Sequence, residues 1–149
     1  MLAEPPRRDL TVYCIGLIYD PDEDDEDEEY VSVGYYIPGK AIMGIYLGLR
    51  ENESEMLVDL VSLQDALTYV SKLGPFNTLE IKTSGLCAGV MQGNIECGQD
   101  ERVMVNEIKS FIAEIDARDI VVVDAGEEGD IIRALDIAQD VAYSAYLED

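Results

Sequence analysis

The chain opens its ordered pattern with LTVYCIGLIY, residues 10–19, an almost unbroken apolar run rich in β-branched and aromatic residues. Such a run reads as a central strand covered on both faces. YVSVGYYI (30–37) and KAIMGIYLGL (40–49) follow, with Pro38 and Gly39 between them. Two strand-like runs around a Pro-Gly turn predict an antiparallel hairpin. From 52 to 73 the period changes: Leu57, Leu60, Val61, Leu67 and Val70 recur at helical spacing. Asn52 or Ser54 is available as the cap, and Gly74 and Pro75 end that helix. Leu79 and Ile81 alternate with Glu80 and Lys82, which predicts a strand over 78–83. GLCAGVMQG (85–93) is small and glycine-rich, suited to a short helix or tight loop.

A helix is expected over 101–116, with Met104, Ile108, Phe111, Ile112 and Ile115 on one face. IVVVD (120–124) reads as a short buried strand. The loop AGEEG leads to a last helix, about 130–146, with Ile131, Leu135, Ala138, Val141 and Ala142 inward. The expected order is β-β-β-α-β-α-β-α, with no internal repeat. At 149 residues this suits one domain over 10–149, behind a flexible lead of residues 1–9. That length buries roughly two thirds of the unfolded surface. No window of about 18 apolar residues exists to cross a membrane. MLAEPPRRDL lacks the apolar core of a signal peptide, so an intracellular chain is expected, without distinction between cytoplasm and nucleus.

Charge changes the picture most. There are 32 acids against 10 bases, a formal charge of −22. The stretch Asp20–Glu29 holds nine of the acids and must be a solvated loop. Without it, 23 acids still face 10 bases, leaving −13. Such a surface repels phosphate backbones and disfavours direct nucleic-acid binding. Three origins of the acidity stay open: a salt-adapted organism or its virus, recognition of a basic partner, or a merely soluble acidic protein. The three cysteines, Cys14, Cys87 and Cys97, show no CxxC spacing, and there is no histidine. This argues against a zinc site, a disulfide framework and triad chemistry. Cys87, among small residues, reads as packed. Asp20, Asp22 and Asp24 alternate as in a calcium loop, but Asp25 stands where glycine is needed and Val31 where the closing glutamate is needed. No phosphate-loop motif occurs.

The element order resembles that of RNase H-like domains: three antiparallel strands, then helices alternating with parallel strands. NESEMLVDLVSLQDAL (52–67) is similar to the family segment in which an Asn precedes by three residues a catalytic Glu opening the first helix, here Asn52 and Glu55. VVDAGEEGDIIRALDIAQDVA (122–142) resembles the family's last strand, its histidine loop with G-x-x-G spacing (Gly126 and Gly129) and its terminal helix. TLEIKTSGLCAGVMQG (78–93) is similar to the strand whose end normally carries an Asp-Ser pair. The resemblance spans about 10–142. It implies an α/β fold with a mixed five-stranded sheet and flanking helices, and, in active members, two-metal phosphodiester hydrolysis through four acidic residues.

Carried over residue by residue, that site is incomplete. Glu55 is present. Thr83, Ser84, Gly85 and Leu86 stand where the mid-sheet Asp belongs. With the glycine spacing kept, the last-helix Asp falls on Ala134; Asp136 substitutes only if the loop is two residues longer. The loop histidine falls near Asp124 or Ala125. The first-strand Asp falls on Ile15 or a neighbour, or on Asp20 or Asp22 if the strand is read toward its end. Glu55 also has a plain role in the first turn of a helix, where a carboxylate suits the macrodipole.

The resemblance therefore implies a catalytically inactive module that binds or scaffolds another protein, without a cofactor. Its partner is expected to be a protein, and a basic one if the acidic loop takes part; self-association is left open. Expected surfaces are the acidic loop, including Asp22, Glu23, Asp24, Asp25, Glu26, Asp27, Glu28 and Glu29, the edge of the hairpin, and the tyrosine-bearing C-terminus. The competing reading is a divergent ribonuclease acting on RNA–DNA hybrid, with Asp20 or Asp22, Glu55 and Asp136 or Asp124 around Mg²⁺ or Mn²⁺. A third is a halophilic or viral acidic protein with another binding role.

Overall fold

The computed structural model describes residues 6–21, 28–126 and 129–148. Five strands form one sheet: β1 (Arg8–Tyr19), β2 (Tyr30–Ile37), β3 (Ala41–Leu49), β4 (Phe76–Thr83) and β5 (Ala117–Asp124). Their order is β3-β2-β1-β4-β5. The β1–β2 and β2–β3 pairs are antiparallel, and the β1–β4 and β4–β5 pairs are parallel. Four helices flank it: α1 (Glu55–Val70), α2 (Gly85–Met91), α3 (Gln99–Glu114) and α4 (Gly129–Glu148).

The apolar alternation along β1 explains its central place. Leu10, Val12 and Cys14 face one side, with Leu60, Leu63 and Leu67 of α1 and Val105 and Ile108 of α3. Tyr13 and Ile15 face the other side, with Ile131 and Ala134 of α4. A strand covered on both faces needs a near-continuous apolar run, and 10–19 supplies one. α1 begins at Ser54, whose Oγ accepts from the Leu57 N–H at 3.0 Å and donates to Glu101 at 2.7 Å. The cap is therefore Ser54 and not Asn52. Two glycines let α4 lie directly on strand backbone. A Cβ at Gly34 would strike the Ala134 carbonyl oxygen, and one at Gly44 would sit 2.7 Å from that of Ile137. Ser32, buried beneath the same helix, donates to the Ala138 carbonyl at 2.7 Å.

Part of the lead expected over 1–9 is ordered strand; residues 1–5 lie outside the described residues. Arg8 and Asp9 belong to β1. Arg7 donates to the Phe76 carbonyl at 2.9 Å and pairs with Asp116 at 2.9 Å. Alternation of polar side chains hides this extension, because Arg8 and Asp9 join the ladder while their side chains stay in water.

Candidate functional site

The C-terminal ends of the parallel strands β1 and β4 meet the start of α1 and the turn from β4 into α2. A depression of about 290 Å³ lies there, lined by Ile15, Gly16, Leu17, Ile18, Glu55, Val58, Asp59, Ser84 and Leu86. An adjoining one of about 520 Å³ shares Ile15 and Ser84 and is bounded by Asp124, Ile131, Ile132 and Leu135. Among the described residues three acids line this composite cleft, and no lysine or arginine does.

Its central polar group is Asp59, one turn into α1. Gly16 has no side chain, so β1 runs against the helix: a Cβ there would come within 2.6 Å of Val58. This close approach brings the Gly16 N–H to 2.7 Å from Asp59 Oδ1. Ser84 Oγ donates to Asp59 Oδ2 at 2.6 Å. The same hydroxyl caps α2 by accepting from the Cys87 N–H at 3.1 Å. One buried carboxylate thus ties β1, α1 and the β4–α2 turn together. Burial pushes the Asp59 carboxyl above the usual carboxylate value; the bonds from Ser84 and Gly16 pull it back, and Glu55 one turn earlier on α1 pushes it up again.

The expected acids do not gather around it. Glu55 is exposed at the first position of α1 and lines the cleft. Asp20 lies past the end of β1, four residues beyond Gly16, which at about 3.3 Å per residue is roughly 13 Å along the strand. The β1–β4 register, Val12 on Ile81 and Tyr13 on Lys82, sets Cys14 and Ile15 level with the end of β4. Neither carries a charge. The first-strand acid is therefore absent from the cleft, and the place is held by a buried thiol and an isoleucine.

Thr83 ends β4 and is fully buried, its hydroxyl without a partner in hydrogen-bonding geometry. It still lies close enough to Cys14 and Cys87 to hold their thiols somewhat below the value burial would impose.

The last-helix positions are also without a carboxylate in the cleft. Ala134 lies one turn deeper than the cleft, fully buried with its carbonyl against Gly34. The first-turn residues that line the cleft are Ile131 and Ile132, both uncharged. The helix starts at Gly129 itself, so the second glycine of the spacing opens α4. Asp136 is exposed on the face of α4 turned away from buried Ala134 and Ala138. Asp124 ends β5 and lines the cleft, but its Oδ1 accepts from the Gly126 N–H at 2.7 Å and so caps its own turn. Ala125, the other loop position, is buried. Asp22, Glu23, Asp24, Asp25, Glu26 and Asp27 lie outside the described residues. Glu28 is exposed, and Glu29 pairs with Arg50 at 3.1 Å.

A two-metal centre needs several hard oxygen donors converging on each ion. The donors here do not fit one. Among the described residues no three of His, Cys, Asp or Glu are placed to share a metal ion. Asp59, the best-placed carboxylate, already has both oxygens engaged, and Thr83 and Ile131 offer no charge. Sequence reasoning missed Asp59 altogether. The available signal was its place on the apolar stripe of α1, in line with Ser62 and Ala66, where a solvated aspartate does not belong.

The architecture is the RNase H fold. The RNase H1 of the halophilic archaeon Halobacterium salinarum superposes with a TM-score of 0.68 at 15% identity, over 90% of this chain and 99% of that one. LC11-RNase H1, solved in complex with an RNA/DNA hybrid, gives a TM-score of 0.74 at 16% identity, over 92% and 99%. The N-terminal RNase H domain of a Mycobacterium tuberculosis protein gives 0.67 at 13%, over 93% and 99%. No protein-family model and no curated protein sequence matches the chain. The chain is thus an RNase H-like domain in fold, with its own side chains in the cleft.

Proposed function

We propose that this chain is a catalytically inactive RNase H-like domain that serves as an acidic protein-binding module. The observation that carries the reading is the composition of the cleft. Where two-metal hydrolysis needs converging carboxylates, Cys14, Thr83 and Ile131 are uncharged and Asp59 is spent on the Gly16 and Ser84 bonds. Among the described residues that line the cleft, Glu55 is the carboxylate that makes no hydrogen bond or ion pair, and a single carboxylate cannot neutralise two divalent ions.

Electrostatics supports the same reading. LC11-RNase H1 holds an RNA/DNA hybrid. For this chain, a hybrid would bring phosphates to a cleft lined by acids and no cation, on a domain of charge −22. Counter-ion release, the main source of affinity for a phosphate backbone, requires Lys or Arg at the contact. A positively charged protein partner gains from the same field, and its association is fastest at low salt.

The test is cleavage and binding of an RNA–DNA hybrid with Mg²⁺ or Mn²⁺, for the wild type and Glu55→Gln. The expected result is no metal-dependent cleavage by either protein. Cleavage by the wild type that Glu55→Gln abolishes would overturn the reading in favour of a divergent nuclease.

A further inference from the structure

We infer that the outer edge of β3 takes up an extended, basic segment of a partner protein as a sixth strand of the sheet. This rests on the protein-binding reading above and names the surface and the chemistry of the occupant. β3 is the outermost strand and pairs only with β2, so its other side has no strand neighbour among the described residues. Proteins usually guard such an edge with charges, proline or a short strand. β3 runs for nine residues, Ala41–Leu49, with no charged residue and no proline. Lys40 and Arg50 only flank it, and Arg50 is tied to Glu29 and to the Glu53 carbonyl. The one irregularity, where Val31 and Ser32 face Gly48 and Tyr46, falls at its far end. Ala41 to Tyr46 keep regular register.

The side chains on this edge are apolar and face water. Of the eleven large hydrophobic residues exposed among the described ones, Ile42, Met43, Tyr46, Leu47 and Leu49 belong to β3. Three more, Tyr143, Tyr146 and Leu147, close α4. The two groups are joined by rings: Tyr146 stands edge-on to Tyr30 at 5.8 Å, and Tyr30 lies 6.2 Å from Tyr46. Ile42 and Met43 are consecutive and so point to opposite faces, and both are exposed. An added strand would find apolar contact on each face as well as backbone partners along its length.

Charge selects the occupant. Exposed Glu28 lies two residues before Tyr30, the partner of Leu49, exposed Glu51 lies two residues after Leu49, and exposed Asp140 and Glu148 neighbour the tyrosines of α4 in sequence. A second copy would bring another −22 to the same place. A segment in which Lys or Arg alternates with apolar residues satisfies edge, patch and field together.

The probe is a labelled synthetic peptide of about eight residues with alternating lysine and valine, the length that matches a typical strand. Its control replaces two valines by proline, which keeps the charge and removes strand donors. Binding is followed by anisotropy, and amide exchange of the full chain by NMR. The alternating peptide is expected to protect amides within Ala41–Tyr46 and to bind about tenfold more tightly than its control. The neutral double change Met43→Asn with Leu47→Asn should weaken binding about tenfold, while Val103→Asn, exposed on α3, leaves it unchanged. Equal binding of both peptides with no protection of β3 overturns the edge inference and leaves the acidic-module reading standing. Protection of β3 that grows with protein concentration and without peptide overturns it in favour of a second copy. Hybrid cleavage in the assay above would instead remove the reading beneath it.

Discussion

Asp59 accepts a 2.6 Å hydrogen bond from Ser84 across the end of the sheet, on an oxygen a catalytic carboxylate would keep for a metal ion. This bond and its companion from Gly16 make the cleft a structural joint, and they fix how it should respond to substitution.

Asp59→Ala removes the acceptor for a backbone N–H and a hydroxyl in a buried place. Leaving such donors unpaired costs about 2 to 4 kcal/mol in all, read from urea unfolding at neutral pH. Asp59→Asn keeps an acceptor for Gly16, and the Ser84 hydroxyl can turn to accept from the amide. Its cost should depend on pH. The folded-state pKa of Asp59 is raised above the unfolded value, mainly by burial. The stability linked to this group is therefore fullest below the ordinary carboxylate pKa and is lost as pH rises through the folded value. Asp59→Asn escapes that loss, so its stability relative to wild type should improve between pH 4 and pH 7. A difference that is flat across that range, or runs the other way, would count against a strained buried carboxylate.

Divalent metal should stabilise this protein only through its overall charge. Mg²⁺ is expected to raise the melting temperature by the same amount in the wild type and in Glu55→Gln, because among the described residues Glu55 belongs to no group of three metal-ligating side chains. A Mg²⁺ effect that disappears with Glu55 would reveal a specific site.

The thiols should separate sharply in reactivity. Cys14 and Cys87 are buried, and burial pushes Cys14 up to about 12 and Cys87 higher still. Cys97 is partly exposed. Only thiolates react at useful rates. One thiol should be titrated by an alkylating reagent in the native protein and three in denaturant, counted by mass. Fast native labelling of Cys14 would contradict the packing at the cleft.

Glycines 34 and 39 should fail for different reasons. A methyl at Gly34 collides with the Ala134 carbonyl and forces α4 off the sheet, costing about 3 kcal/mol. Gly39 meets nothing within 4 Å, but its φ of 75° strains any other residue, costing about 1 kcal/mol. Urea midpoints of Gly34→Ala and Gly39→Ala should keep that order; equal costs would mean α4 can shift freely.

The sheet order was legible because each element carries its own period and stop: Pro38–Gly39 for the hairpin, Gly74–Pro75 after α1. The register of β1 was not, since LTVYCIGLIY has no charged residue to mark which position meets the end of β4. That left Asp20 a candidate until pairing put Cys14 and Ile15 beside Thr83. The Gly126–Gly129 spacing marked the start of α4, and Ala134, the position read from it, is a fully buried, uncharged side chain. Asp59 escaped notice because a helical pattern is read from its apolar members, and its polar ones are assigned to solvent by default. Only the bare backbone of Gly16 explains why an aspartate faces inward there.

The seating of α4 on Gly34 and Gly44 reaches beyond stability. A helix resting on strand backbone, and held by Ser32 beneath it, has little room to slide. Tyr143 and Tyr146 therefore stand at a fixed distance from β3 before anything arrives. Whatever docks along that edge meets a preorganised platform. The ordering cost of recognition then falls on the incoming segment alone, which favours partners already extended over partners that must unfold to bind.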